Sequence, residues 1–311
     1  MSPPYLRIAF LGPPGTFGEE ALLTQADYAA AELVPLPSHA EVINAVEAGE
    51  TDLGFLGFEN SIEGSVRSVL DHLIFETELL IQREVVLPIS QNLVARPGLA
   101  LGDVHRVVSF PDAMEQCRAF FARELPEVEL VAANSTSEAV QLVAASDEPS
   151  TAALGTALAA KLYGLEILAG GIEDFADNST RFVAVAREGI PAPTGHDKTS
   201  IVLFQDADRP GNLHLISAQF AAREINLTKF ESRPTKKSLG EYCFIIDFSG
   251  HVADEVVADC LRNLRADVGR VKFLGSYPAA GEQGEAIRRD VEASWKAADE
   301  WVARLRSQVR R

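Results

Sequence analysis

The chain has 311 residues, with 45 Asp and Glu against 28 Lys and Arg, a formal net charge of −17 and a pI near 4.8. Hydrophobic residues make up 47% and charged residues 23%, an ordinary globular composition that excludes a disordered or low-complexity chain. The acidity argues against a general polyanion binder, whose phosphate contacts need clustered Lys and Arg, but not against a small anionic substrate, which one or two local arginines can hold.

At roughly 100–200 residues per domain, the length predicts two or three domains. Short apolar runs alternate with helical spacing through the first half. Leu6–Leu11 reads as a buried strand, Glu19–Ala30 as a helix with Ala21, Leu22 and Tyr28 near one face, and Val34–Leu36 as a short strand. Ser38-His-Ala-Glu41 is a capping box opening a helix through Val46, and Leu53–Phe58 is the next strand. This βαβαβ start predicts a parallel, doubly wound sheet. Leu79–Val94 is a longer extended stretch. Arg106–Ser109 then reads as a strand, Pro111–Glu124 as a helix with Pro at its start, and Val128–Ala132 as a strand. Ser135-Thr-Ser-Glu138 is a second capping box, for a helix to Ala145, followed by strand Ala152–Leu154, helix Thr156–Tyr163 and strand Phe182–Ala186. The pattern predicts two α/β lobes over about 5–187, the first about 5–78 with 171–187 and the second about 79–170. A ligand cleft is expected between them, where loops leave the carboxyl ends of strands.

Glu188–Asp197 (EGIPAPTGHD) reads as a linker, rich in Pro and Gly. Beyond it come strand Lys198–Gln205, helix Gly211–Arg223, strands Leu227–Arg233 and Glu241–Phe248, helix Asp254–Ala266 and strand Val271–Tyr277. That is βαββαβ, which predicts a ferredoxin-like unit over 198–278. The remaining tail, 279–311, reads as one helix from about Gly284, with Trp295 and Trp301 packing it and its terminal arginines complementing the helix dipole.

Cys117, Cys243 and Cys260 are too few and too scattered for a disulfide framework, and no CxxC, HExxH or i, i+4 His pair marks a metal site. The first residues, MSPPYLRIAF, lack a signal-peptide pattern, and no apolar run approaches the ~20 residues that span a bilayer. A cytoplasmic protein with free thiols is the expectation.

Gly12-Pro-Pro-Gly15-Thr16 follows a strand and precedes a helix, but it lacks the lysine of a P-loop and the spacing of a dinucleotide fingerprint. It is either a tight turn or a backbone anion site. GxSxG is absent, which argues against an α/β-hydrolase triad. Glu59-Asn60-Ser61-Ile62-Glu63-Gly64-Ser65 sits at a strand's carboxyl end, where a doubly wound protein places its site, though Asn60, Ser61 and Ser65 are also good helix caps. Asn178-Ser179-Thr180-Arg181-Phe182 is a polar turn with a cation that enters an apolar strand. Arg181 either grips a carboxylate or forms a surface ion pair.

Three of these stretches, in this order, carry a resemblance. Gly12–Phe17 resembles GPxGTF, Gly57–Val66 resembles PIENSIEGSV, and Asn178–Phe182 resembles NxTRF, which together look like prephenate dehydratase. The second unit resembles an ACT domain of the phenylalanine-sensing type, with Glu231-Ser232-Arg233-Pro234 intact. The resemblance spans Arg7 to Tyr277. It implies a catalytic part folded like a periplasmic binding protein, and decarboxylative dehydration of prephenate to phenylpyruvate without cofactor or metal. By motif, Thr180 is the implied principal catalytic residue. Asn60 comes from ENS, and Ser109 and Gln116 from SFPDAMEQC. Arg181, Phe182, Thr16, Ser61, Ser135 and Thr136 are implied substrate-binding residues, Arg181 supplying the local positive charge.

Phenylalanine is the implied allosteric ligand, held by Gly211, Asn212, Leu213, Glu231, Ser232, Arg233 and Pro234. Asn212 stands where the family usually has Ala, which bears on effector affinity, and Gly57-Phe58 replaces Pro-Ile. ACT pairing implies a homodimer or homotetramer. Arogenate dehydratase is the nearest alternative, since its substrate differs in one side-chain substituent. A non-enzymatic cleft protein fused to an amino-acid sensor is another.

Overall fold

The structure, a computed structural model, describes residues 6–205, 210–236, 241–280, 301 and 304. The expected C-terminal helix therefore lies outside the described residues, apart from Trp301 and Arg304.

The described chain separates into two compact units. The first holds residues up to Leu79 and Val85–Arg187, the second Leu80–Glu84 and the chain from Glu188 onward. The first unit contains β1 (Arg7–Leu11), α1 (Phe17–Leu23), α2 (Ala26–Ala29), β2 (Glu32–Leu36), α3 (His39–Glu47), β3 (Leu53–Asn60), β4 (Gly64–Ser65) and α4 (Arg67–Phe75). These are followed by β5 (Leu80–Pro88), whose residues Leu80–Glu84 count with the second unit, and by β6 (Asn92–Ala95), β7 (Arg106–Ser109), α5 (Pro111–Glu115), α6 (Arg118–Glu124), β8 (Glu129–Ala132), α7 (Thr136–Ala145), β9 (Thr151–Gly155), α8 (Ala157–Tyr163), β10 (Glu166–Gly170) and β11 (Ser179–Ala186).

They build two sheets. The first has the order β2-β1-β3-β11-β5, with β4 added to β3, and the second β10-β6-β9-β7-β8. Both are mixed rather than parallel throughout. Strands joined through helices lie parallel, as β1 does to β2 and β3, and β7 to β8 and β9. β11, which follows β10 of the other sheet, runs antiparallel to β3. β5, expected in the second lobe, pairs in the first sheet instead, so the second sheet begins only at Asn92.

Each sheet is covered on both faces, which explains why its inner strands read as continuous apolar runs. In the second sheet, Val107, Leu93 and Leu154 pack with Phe120 and Phe121 on one side. Val94, Val108 and Ala153 pack with Val140, Val143 and Ala159 on the other. In the first sheet, Ile8, Phe10 and Phe55 form a core with Leu22, Tyr28 and Phe182, and the Phe55 and Phe182 rings stack at 5.3 Å. Burying one such side chain stabilises the fold by about 1.5–3 kcal/mol.

Two expected helices are broken. The Glu19–Ala30 segment divides at Thr24 and Gln25, and the Pro111–Glu124 segment divides at Gln116 and Cys117. The second break has a visible cause. Asp174 inserts into the ladder: its N–H donates to the Gln116 carbonyl at 2.6 Å, and its carboxylate accepts from Ala119 N at 3.1 Å. α4 and β10 were not anticipated, although Val69, Leu70, Leu73 and Ile74 do bury one face of α4.

The second unit contains β12 (Asp197–Gln205), α9 (Asn212–Ala221), β13 (Leu227–Pro234), β14 (Tyr242–Ser249), α10 (Glu255–Asp267) and β15 (Gly269–Pro278). Its sheet is antiparallel, in the order β13-β14-β12-β15. Ile201, Leu203, Ile246 and Phe248 pack against Ile216, Phe220, Val257, Cys260 and Leu264 of the two helices. The 188–197 stretch is tied down rather than loose. Gln82 Nε2 donates to the Gly189 carbonyl at 2.9 Å, and Asp197 accepts from Thr194 N and Gly195 N. Lys198 Nζ lies 2.9 and 2.8 Å from the two Glu84 oxygens, a buried pair within this unit.

No helix among the described residues is long and apolar enough to cross a membrane.

Candidate active site

The carboxyl end of β3 and the start of β11 lie side by side, with Thr180 opposite Asn60 and Arg181 opposite Glu59 in register. This register, set by the antiparallel pairing, brings two stretches that are 120 residues apart in sequence into contact. Asn60 Nδ2 donates to Thr180 Oγ1 at 2.9 Å and to Asn178 Oδ1 at 2.8 Å. Asn60 Oδ1 accepts from Ile62 N at 2.9 Å and from Glu63 N at 3.0 Å. Ser61 closes the turn. Its N–H donates to the Ser179 carbonyl at 2.9 Å, and its Oγ accepts from Ser179 N at 3.0 Å.

Gln116 joins from the second sheet's side of the unit. It sits at the break between α5 and α6, which frees its side chain from a regular helix surface. Asn178 Nδ2 donates to Gln116 Oε1 at 3.0 Å, and Gln116 Nε2 donates to Glu63 Oε1 at 3.1 Å. Asn178 is 1% exposed and Gln116 8%, so these amides must find partners inside the protein, and they do. A cavity of about 510 Å³ opens beside this end of the chain, lined by Ile62, Glu63, Gln116, Arg118, Asp174 and Phe175 among others.

Of the expected site residues, Thr180, Asn60, Gln116 and Ser61 are thus brought together. Ser109 is not: it is fully buried at the end of a central strand and donates to the Leu154 carbonyl at 3.3 Å. Arg181, expected to give the site positive charge, lies on the opposite strand face from Thr180. It pairs with Glu59 at 3.6 Å and covers the Phe58 ring at 4.7 Å, so Glu59 balances its charge. Phe182 is a core residue stacked on Phe55.

Thr16 and Ser135 are helix caps: Thr16 Oγ1 accepts from Glu19 N at 3.2 Å, and Ser135 Oγ accepts from Glu138 N at 3.0 Å. Thr136 is the first residue of α7. The 12–16 loop is no open anion cradle either. Gly15 N donates to the Glu19 carboxylate at 2.5 Å, and the Pro14 and Gly15 carbonyls accept from Tyr163 OH at 3.0 Å and Thr156 Oγ1 at 2.7 Å. Gly15 has φ +94°, and a Cβ there would sit 2.8 Å from the Ala159 Cβ, so only glycine lets the loop dock on α8.

The residues that sequence reasoning missed are Asn178 and Glu63. Both stand inside motifs already singled out, the 59–65 and 178–182 stretches. Beside the site, the Asp112 carboxyl is raised by desolvation and by the Glu63 charge. Among the described residues, no group of three or more His, Cys, Asp or Glu is arranged to hold a metal ion.

In the second unit, Gly211 takes the left-handed conformation (φ +90°) just before α9, Asn212 begins that helix, and Leu213 is exposed. Glu231, Ser232, Arg233 and Pro234 end β13, where Glu231 lies 3.2 Å from Lys229 and 3.5 Å from Arg233.

A family model described as prephenate dehydratase matches residues 8–190, the stretch that contains Asn60, Gln116 and Thr180. The chain belongs to the prephenate dehydratase family. A curated prephenate dehydratase from Mycolicibacterium vanbaalenii is 42% identical over 303 residues, covering 93% of this chain and 96% of that one. A solved prephenate dehydratase from Arthrobacter aurescens, in complex with L-Phe, matches at TM-score 0.87 and 39% identity, over 97% of this chain and 100% of the other. GqqA, described as a novel type of quorum quenching acylase, matches at TM-score 0.79 and 30% identity, over 88% of this chain and 98% of its own. The likeness to prephenate dehydratases thus extends beyond residues 8–190 into the second unit.

Proposed function

We propose that this protein is a prephenate dehydratase that converts prephenate to phenylpyruvate, CO2 and water. The observation that carries the reading is the Thr180 hydroxyl, held at 2.9 Å by Asn60 in a chain containing the matched family motifs. In the reaction, the bond from the quaternary ring carbon to its carboxylate breaks and releases CO2. The electrons shift through the ring and expel the hydroxyl from the opposite carbon, and the ring becomes aromatic. The hydroxide leaves as water after taking up a proton.

The demanding step is departure of hydroxide, which needs a donor aimed at that oxygen as charge develops. Thr180 is that donor. An alcohol is too weak an acid for full proton transfer, so a preorganised hydrogen bond is the mode of action. Asn60, Asn178 and Gln116 hold it in place as neutral hydrogen-bonding groups. With Arg181 paired to Glu59, the carboxylates of the substrate depend on neutral and backbone donors more than on that cation.

We assign the second unit as an ACT domain of the ferredoxin-like type, sensing L-phenylalanine. Its βαββαβ order, its strand arrangement β13-β14-β12-β15, and the L-Phe complex of the Arthrobacter aurescens relative support this reading. Gly211, Asn212, Leu213 and Glu231 to Pro234 are the proposed ligand residues, in a homodimer or homotetramer. The deciding experiment is a phenylpyruvate assay on purified protein with prephenate and, in parallel, arogenate, each with and without L-phenylalanine. Turnover on prephenate that phenylalanine inhibits is expected. No product from prephenate removes the assignment, and turnover untouched by phenylalanine removes the sensing.

A further inference from the structure

We infer that Glu63 is a positioning residue whose carboxylate anchors the outer end of the hydrogen-bond chain ending at Thr180, and so holds the Thr180 hydroxyl in place with its proton turned to the leaving oxygen. The inference rests on the proposed reaction.

The chain runs Glu63, Gln116, Asn178, Asn60, Thr180, with links of 3.1, 3.0, 2.8 and 2.9 Å. Three of its members are carboxamides, whose oxygen and nitrogen ends can be exchanged by a half-turn. Reversing the amides would reverse every donor and acceptor along the chain. Both of its ends prevent this. An ionised carboxylate only accepts, so the group Gln116 presents to Glu63 must be its NH2. The Gln116 oxygen then faces Asn178, which must present its own NH2, leaving the Asn178 oxygen to face Asn60.

Asn60 is constrained from a second direction. The Ile62 and Glu63 backbone N–H groups can only donate, so the Asn60 oxygen faces them and its NH2 faces Asn178 and Thr180. Thr180 Oγ1 therefore accepts. Among the described residues this is the one hydrogen bond its side chain makes, and its single proton remains for a ligand. If the polarity were reversed, Thr180 would donate that proton to Asn60 and lose its function. Glu63 contributes at both ends of this arrangement, by its carboxylate to Gln116 and by its N–H to Asn60.

The test compares Glu63→Ala and Glu63→Gln with the parent and with Thr180→Ala, on prephenate. Parent turnover checks the underlying reading separately: with no phenylpyruvate from the parent, that reading fails first. Given parent activity, Glu63→Ala is expected to lower kcat by about 10- to 100-fold, the scale that a small misplacement of a reacting group costs, with KM within about threefold. Glu63→Gln, which keeps an oxygen that can accept, is expected to recover part of the loss, and it supplies the comparison should the alanine variant fold poorly. In the Thr180→Ala background, Glu63→Ala should cost nothing further, because the two act as one unit. Parent-like kcat in Glu63→Ala, a change confined to KM, or costs that multiply in the double variant would each overturn the inference.

Discussion

Asn60 and Thr180 face each other across an antiparallel strand pair, and Asn60 donates to the Thr180 hydroxyl at 2.9 Å while its own oxygen is held by two backbone N–H groups. The direction of this hydrogen bond matters more than its strength. It holds the hydroxyl in place from the oxygen side and leaves the proton to the substrate. A side chain of the same shape that could not donate would draw the proton back into the protein.

That comparison is available as Asn60→Asp. The aspartate keeps its acceptor contacts with Ile62 N and Glu63 N but turns a second oxygen toward Asn178 Oδ1 and Thr180 Oγ1. Turnover on prephenate is expected to fall by about 10²–10³, the cost of losing one oriented donor, and thermal unfolding should show a folded protein of reduced stability. Steady-state kinetics with a melting curve separate the two effects.

Ser109 leads to a different expectation. Its hydroxyl is fully buried and donates to the Leu154 carbonyl at 3.3 Å, a contact between neighbouring strands of the second sheet. Ser109→Ala should cost about 1 kcal/mol of stability and change kcat by less than about threefold. A loss of kcat with unchanged unfolding would mean that this hydroxyl reaches the substrate after all.

The thiols supply a chemical check on the packing. Cys117, Cys243 and Cys260 are in no disulfide, and all three are buried. Burial, with the Asp174 and Glu173 charges beside it, pushes the Cys117 thiol up to about 12, and burial pushes Cys260 up to about 11. A thiolate is the reactive form, and at pH 8 neither group holds an appreciable fraction of it. A thiol-reactive dye at pH 8 should therefore label none of the three in the first minutes on the native protein, and all of them in denaturant. Rapid labelling of Cys117 in the native state would show that the α5–α6 break opens.

Much of the scaffold was legible in the sequence because its signals are local. Ser38 and Ser135 cap their helices as their residue types predict, Glu41 N and Glu138 N donating to the serine hydroxyls, while the Glu138 carboxylate accepts from Asn134 N rather than completing the box. β7 spans the residues that its apolar run marks, Arg106–Ser109. What was hidden depends on partners distant in the chain. β5 could not be assigned to the first sheet from its own residues, because its neighbour β11 lies about a hundred positions away. The break at Gln116 is made by Asp174, so the segment alone reads as one helix. The same distance hid the roles of Asn178 and Glu63, whose motifs were visible but whose shared partner, Gln116, lies 62 and 53 positions away. For Arg181 the motif was visible but not the direction of its side chain, which register and strand alternation settle in favour of Glu59 and Phe58.

The most direct test is the turnover of Thr180→Ala on prephenate beside the parent, both shown to be folded by circular dichroism and melting. The alanine variant is expected to bind substrate with similar KM and to lose about 10²–10³ in kcat, because it lacks the donor that meets the departing hydroxide. Near-parental formation of phenylpyruvate by folded Thr180→Ala would contradict the account.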